Sequence, residues 1–226
     1  MRPESPDARI AQSWTDNADA WTKVVREGLV PSRLAGTDAA IVEACLACGT
    51  GTLLDVGCGE GWLVRAVAAH GLRATGVDVS PPLIAQATAL GGGEFAVATY
   101  EALQHDAGLA AGPWSVIACN FSLLADPVHP LLAALRARLD AGGVLLIQTV
   151  HPWTARGDAP YASGWRTEAF DAFAVPFPTP MPWYYRTLTS WLGEIATAGL
   201  RVTRVQEPLH PATGMPLSLL LHCEAA

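Results

Sequence analysis

The stretch "LLDVGCGEGWL", Leu53–Leu63, constrains this chain more than any other. A short apolar run ends in an acid, and Gly57, Gly59 and Gly61 then follow at every second position. Such a turn lets backbone bend sharply and leaves no side chain between it and whatever lies against it. The next apolar run, "RATGVDVS", ends in a second acid, Asp78. A strand, a glycine turn, a helix, and a strand ending in a carboxylate form the start of an open α/β sheet, whose ligands bind at the carboxyl ends of parallel strands.

The rest of the chain continues the alternation. Periodic apolar positions from Ser5 to about Gly28 predict one amphipathic helix, and Thr37 to Cys48 a second, with Thr37 as its N-cap and Gly49 as its stop. After "TLLDV" come the helix "EGWLVRAVAAHG", the strand "RATGVDVS" and the helix "PPLIAQATAL", whose prolines suit a first turn. "EFAVAT", "WSVIACN" and "GVLLIQTV" are further strands, with the helix "HPLLAALRARLD" before the last of them. "TLTSWLGEIATAG" is a helix, and "LRVTRVQEP" and "LSLLLHC", separated by "HPATGMP", form a closing antiparallel hairpin. Between them, residues 151–186 hold six prolines and nine of the chain's aromatics. That composition opposes a long helix and equally opposes a disordered linker, so the segment is expected to fold as a lid across a pocket at the sheet's carboxyl edge.

Length and charge narrow the function. At 226 residues and 50% hydrophobic, the chain is expected to form one domain over 1–226, with a helical segment over 1–49. The formal charge is −7, and the 14 basic residues are scattered, which argues against nucleic acid as a partner. There is no apolar leader and no run of 18 apolar residues, so a cytoplasmic protein with no membrane partner is expected. Five cysteines without a secretory signal imply free thiols, and Cys45 and Cys48 are expected to be buried helix residues. The six histidines show no metal-ligand spacing, and no metal is expected.

Asp78 is placed to accept hydrogen bonds from both hydroxyls of a ribose, which implies a nucleoside-containing ligand. A dinucleotide turn would place a third glycine at position 62, where this chain has Trp62. The spacing Asp55, Gly57, Gly59, Gly61 instead resembles the first motif of the class I S-adenosylmethionine-dependent methyltransferases. "GVDVS" is similar to that family's second motif, "FAVATYEAL" to its third region, "WSVIACNFSLL" to its fourth, and "ARLDAGGVLLIQTVHPW" to the helix, turn and strand that follow. "WTDNADAW" and "YYRTLTSWLGEIATAGLRVTRVQEP" resemble bacterial small-molecule methyltransferases.

The resemblance implies a Rossmann-like three-layer sandwich with a seven-stranded, mainly parallel sheet of order 3-2-1-4-5-7-6, strand 7 antiparallel. It implies S-adenosylmethionine as cofactor and S-adenosylhomocysteine as product. Gly57, Cys58, Gly59 and Gly61 are expected to border the methionine portion, and Asp55 to order the loop. Asp78 is expected to take the ribose and Val79 the adenine. Thr99 and Tyr100 fall where the third region reaches adenine, Thr99 standing where the family commonly has aspartate. Asn120 and Phe121 are expected on the methyl side.

A small-molecule acceptor is expected to meet Trp14, Trp21, His151, Trp153, Tyr184, Tyr185 and Arg186. His151 is the candidate proton acceptor, or else a loop-start histidine bonded to backbone. Trp14, Asn17 and Trp21 share a helical face that either closes over the cofactor or simply packs. Tyr184, Tyr185 and Arg186 are expected at the start of the following helix, where packing alone would also account for the tyrosines. A non-catalytic S-adenosylmethionine-binding regulator and a nucleic-acid methyltransferase are the alternatives. "NFSLLAD", without an N-P-P-Y-type motif, speaks against the latter.

Overall fold

The structure, a computed structural model, describes residues 5–48 and 51–226. Two helices, α1 (Pro6–Asp16) and α2 (Ala18–Arg26), precede a π-turn at Arg33–Thr37 and helix α3 (Asp38–Ala47). Alternating strands and helices follow: β1 (Thr52–Val56), α4 (Trp62–Ala68), β2 (Arg73–Asp78), α5 (Pro81–Leu90), β3 (Glu94–Val97), α6 (Tyr100–His105), β4 (Trp114–Asn120), α7 (His129–Arg136) and β5 (Leu139–Val150). A one-turn helix α8 (Pro152–Ala155) and two strands, β6 (Gly164–Glu168) and β7 (Met181–Tyr185), come next. The chain closes with α9 (Leu188–Thr197), β8 (Leu200–Gln206) and β9 (Ser218–Ala225).

Seven strands form one sheet of order β3-β2-β1-β4-β5-β9-β8. β9 runs antiparallel to both its neighbours while the pairs from β3 to β5 are parallel, so the expected order and its one reversed strand are present. The central strands β1 and β4 are buried on both faces, whereas the edge strands β3 and β8 are largely exposed; along the central strands successive side chains still alternate between the two faces. Leu54, Val56, Ile117, Cys119, Leu145 and Ile147 pack with α7 and α9 on one face. Leu53, Val116, Ala118 and Leu146 pack with α3 and α4 on the other.

Several expected boundaries shift. The helix over Ser5–Gly28 is two helices, broken at Asn17, whose backbone sits at φ −92°, ψ 4°. The cause is a competing set of hydrogen bonds from the asparagine side chain. Its Nδ2 donates to Ser13 Oγ at 3.1 Å and to the Thr179 carbonyl at 2.6 Å, while its Oδ1 accepts from the Thr179 amide at 3.1 Å. Thr37 stands at the N-cap position of α3 but makes no side-chain capping bond; it ends the π-turn, and its hydroxyl donates to the Ser32 carbonyl at 3.2 Å. The Gly49 stop lies outside the described residues. β5 starts before Gly143 because its pairing with β4 jumps between Trp114 and Val116, looping out the Asp140–Gly143 turn.

The proline- and aromatic-rich stretch contains a two-stranded antiparallel ribbon, β6–β7, with Trp165 opposite Tyr184 and Glu168 opposite Met181. Tyr184 and Tyr185 therefore belong to a strand rather than to the helix that follows, whose N-cap is Thr187. The ribbon packs against α1, and the paired bonds between Asn17 and Thr179 fasten the two. No helix among the described residues is long and apolar enough to cross a membrane.

Asn17 is fully buried, so Asn17→Ala removes two interactions to Thr179 and strands its backbone groups. The expected loss is about 2–3 kcal/mol in denaturant unfolding, with faster proteolysis between residues 168 and 180. Unchanged cleavage and unchanged stability would refute the latch.

Candidate active site

Two adjoining cavities open at the carboxyl ends of the parallel strands. The larger, about 550 Å³, lies over the glycine turn and is within the size range of small-molecule sites. Gly57, Cys58, Gly59, Asp78, Val79, Thr99, Tyr100, Asn120 and Phe121 all line it, as do Trp14 and Trp21. Asp55 and Gly61 do not; they act from behind the wall.

The turn is held by three glycines with positive φ. At Gly57, φ is +80° and a Cβ would collide with the side chain of Ser122. That serine donates to the Val56 carbonyl at 2.5 Å and its own carbonyl accepts from the Tyr100 hydroxyl, so it cannot give way. At Gly61, φ is +84° and a Cβ would lie 2.7 Å from the Phe95 ring. Both positions require glycine.

Asp78 ties the turn to the second strand. One oxygen accepts from the Gly59 amide at 2.9 Å and the other from the Ser80 amide at 2.9 Å. Burial raises its pKa against these two bonds, and each oxygen keeps a lone pair for a ligand. Thr99 caps α6, its Oγ1 accepting from the Ala102 amide at 3.0 Å. The Asn120 Oδ1 accepts from Gln148 Nε2 at 2.8 Å, which leaves its Nδ2 without a protein partner among the described residues. Phe121 sits at φ +53°, a conformation that non-glycine residues rarely hold, and its ring forms part of the wall.

Asp55 is buried between Gly76 and Ala118 of the flanking strands, and its Oδ1 has no hydrogen-bond partner among the described residues. Burial, with a smaller push from the Asp78 charge, raises its pKa to about 8. The same desolvation raises the thiols of Cys45, Cys58 and Cys119, so these are packing groups rather than nucleophiles. All five cysteines are free.

The second cavity, about 190 Å³, shares Trp14, Trp21, Phe121 and Val150 with the first. Its remaining walls come largely from the ribbon and its flanks: Phe170, Phe173, Trp183, Tyr184, Arg186 and, from α9, Trp191. Trp14 meets Trp21 edge to face at 5.3 Å, and Phe170, itself at φ +61°, stacks on Phe177 at 4.3 Å.

Three of the expected acceptor residues lie elsewhere. His151 lines neither cavity. Its Nδ1 accepts the Trp153 amide as the cap of α8, at 3.3 Å, and its Nε2 donates to Glu207 at 2.8 Å, so the loop-start alternative is the one realised. Trp153 is mostly exposed and stacks with Arg156. Tyr185 is fully buried, its hydroxyl donating to the Pro152 carbonyl at 2.6 Å. Tyr185 faces away because β-strand neighbours alternate: Tyr184 lines the cavity, so Tyr185 turns from it.

Some residues carry no sequence signal. Arg33 and Asp38 line the larger cavity as an ion pair at 2.9 Å, with the guanidinium 4.2 Å above the Trp62 ring. Glu60, inside the glycine turn, is buried and pairs with Arg26 of α2 at 3.0 Å and Arg65 at 2.6 Å. No group of three or more potential metal ligands exists among the described residues.

A cleft of this kind, over an acidic glycine turn in a sheet of this order, defines the methyltransferase fold. The sequence pattern of a family described as "Methyltransferase domain" matches residues 33–205, and the chain belongs to that family. The resemblance to class I S-adenosylmethionine-dependent methyltransferases is thereby borne out. Solved structures share the fold. A S-adenosylmethionine-dependent methyltransferase from Mesorhizobium loti is 21% identical, with 81% of this chain and 95% of that one covered and a TM-score of 0.60. Magnesium protoporphyrin IX methyltransferase from Synechocystis PCC 6803, with S-adenosylmethionine bound, is 15% identical over 100% of both chains, with a TM-score of 0.65. The glycopeptide N-methyltransferase MtfA, complexed with S-adenosyl-L-methionine, is 13% identical over 85% of this chain and 94% of that one, with a TM-score of 0.64. No curated protein sequence matches the chain.

Because the folded pKa of Asp55 lies above its unfolded value, folding takes up a proton between about pH 4 and pH 8, and stability from this group is lost as pH rises through that window. Asp55→Asn cannot lose it. Without ligand, the variant should gain on the wild type by more than about 1.4 kcal/mol between pH 5 and pH 8.5, one pK unit's worth. Parallel stability profiles in urea unfolding would contradict the buried, protonated carboxyl.

Proposed function

We propose that this protein transfers a methyl group from S-adenosylmethionine to a small molecule held in the aromatic chamber, releasing S-adenosylhomocysteine. The observation that carries this reading is the shared wall: Trp14, Trp21, Phe121 and Val150 border both cavities, so a cofactor in one can present its methyl to an acceptor in the other. The glycine turn fits the cofactor because Gly57 and Gly59 line the cavity without side chains, and because Asp78, which lines it too, retains lone pairs for a ligand.

In this arrangement Asp78 receives the ribose hydroxyls, and Val79, Thr99 and Tyr100 border the adenine. Gly57, Cys58 and Gly59 lie along the methionine portion, while Arg33 and Asp38 offer opposite charges to its carboxylate and ammonium. Asn120 and Phe121 bound the methyl side. The cofactor supplies a sulfonium methyl that is already electrophilic, so the protein's work is to align the nucleophile and exclude water. The rings of Trp14, Trp21, Phe170 and Phe173 serve the second purpose, and the ribbon with helices α1 and α2 acts as the lid. Where the acceptor must lose a proton, Glu168 is the carboxylate that lines the chamber, its Oε1 held by the Phe170 amide at 2.7 Å.

The acidic balance of the chain favours a small acceptor over a nucleic acid, and five free thiols suit a reducing cytoplasm. A regulator would bind the cofactor yet release no S-adenosylhomocysteine in the presence of any acceptor.

Asp78→Ala removes charge-assisted hydrogen bonds worth about 1.5–3 kcal/mol each. Calorimetric titration with S-adenosylhomocysteine should show affinity lower by at least about tenfold. An unchanged dissociation constant in a folded variant would reject the ribose assignment.

A further inference from the structure

The chamber's polarity is concentrated in one buried cation. The Arg186 side chain has no solvent exposure, yet only part of its guanidinium is bonded. Nη2 donates to the Ala125 carbonyl and, at 2.9 Å, to Asp126 Oδ1. Nε and Nη1 carry the remaining N–H groups, and neither atom has a hydrogen-bond partner among the described residues. The guanidinium carbon lies 4.8 Å from the Tyr184 ring and 5.2 Å from the Trp191 ring, and both rings are chamber walls.

An arginine taken out of water with donors unsatisfied is costly unless an acceptor completes it. Ring faces neutralise such a cation only partly. The other charged residue of the chamber, Glu168, stands opposite Met181 at the far end of the ribbon; Met181 lies five residues before Arg186, about 17 Å along an extended chain. The two ends of the chamber thus differ in sign, with aromatic walls between them.

Resting on the methyl-transfer reading above, we infer that the acceptor is a flat, aromatic molecule bearing a carboxylate, and that Arg186 receives that carboxylate. The bonds formed are charge-assisted N–H···O contacts from the unpaired donors, in a site dry enough for them to discriminate strongly between an acid and its neutral isostere. With the acid fixed at Arg186, the nucleophile of the acceptor points toward the wall that the chamber shares with the cofactor cavity. The chamber's volume, about 190 Å³, lies below the range of drug-sized sites, which limits the ring system to a small one. Arg186 is here a specificity-determining residue, with no part in the chemical step.

Benzoate and benzamide, which share shape and differ in charge, make the test. With the protein saturated by S-adenosylhomocysteine, calorimetry should show benzoate binding at least about tenfold tighter than benzamide. In Arg186→Gln the preference should vanish through loss of benzoate affinity, with S-adenosylhomocysteine affinity unchanged.

Because burial makes Arg186→Gln a folding risk, Asp126→Asn provides a second reading at a partly exposed position. Removing the carboxylate that already neutralises the guanidinium should tighten benzoate by about threefold or more and leave benzamide unchanged. Equal binding of the two probes to the wild type, no benzoate binding up to roughly 10 mM, or a benzoate affinity insensitive to Asp126→Asn would each overturn the inference. Failure to bind S-adenosylhomocysteine at all is a different result, and strikes the methyl-transfer reading itself.

Discussion

The two bonds from the Gly59 and Ser80 amides to Asp78 organise the site. They lock the glycine turn after β1 to the end of β2, and with it the Gly57–Gly59 backbone that faces the larger cavity. The carboxylate is nearly enclosed, so it is held in place by the groups it holds in place. Asp55, at the end of the neighbouring strand, makes no side-chain hydrogen bond among the described residues. It fills the space left by Gly76 and Ala118 and stays protonated near neutrality, so two acids sit close together without two full charges. Ser122 and Tyr100 close the turn from the opposite side.

A second set of contacts converts this cofactor-sized cleft into an enclosed site. Asn17 interrupts the first helix in order to grip Thr179, and Glu60 of the glycine turn draws Arg26 down onto it. The N-terminal helices thus reach both the glycine turn and the β6–β7 ribbon. Trp14 and Trp21 stand where the two meet, and Phe121 adopts a strained backbone to join them. Local strain concentrated at such a junction is consistent with a site whose geometry matters more than its stability.

Where glycine and proline punctuate the chain, the sequence was legible almost to the residue. β1, β4 and α5 begin and end at the residues read from "TLLDV", "WSVIACN" and "PPLIAQATAL", because strand and helix periods differ and the breakers are unambiguous. Most of the wall of the larger cavity was readable for the same reason: its residues follow strand ends. The ribbon was not. Pro182 lies within β7, which a two-stranded edge tolerates but a central strand would not, so the composition gives no strand signal there. Tyr184 and Tyr185 are therefore expected at the start of the following helix, whereas the strand they belong to sends them to opposite sides. Asn17 looked like one more helical residue because its partner lies 162 positions away. His151 occupied the right edge of the sheet, but a side chain's direction is set by its partners, here the α8 amide and Glu207. Arg33 and Asp38 belong to no motif and come together only through a π-turn.

The central claim is that the two cavities are halves of one reaction site, joined across Phe121, Trp14, Trp21 and Val150. A crystal structure with S-adenosylhomocysteine tests it most directly. The account predicts the ribose hydroxyls on Asp78 and the sulfur at the shared wall, facing the aromatic chamber. A sulfur directed away from that wall, or a nucleoside bound without contact to Asp78, would contradict it.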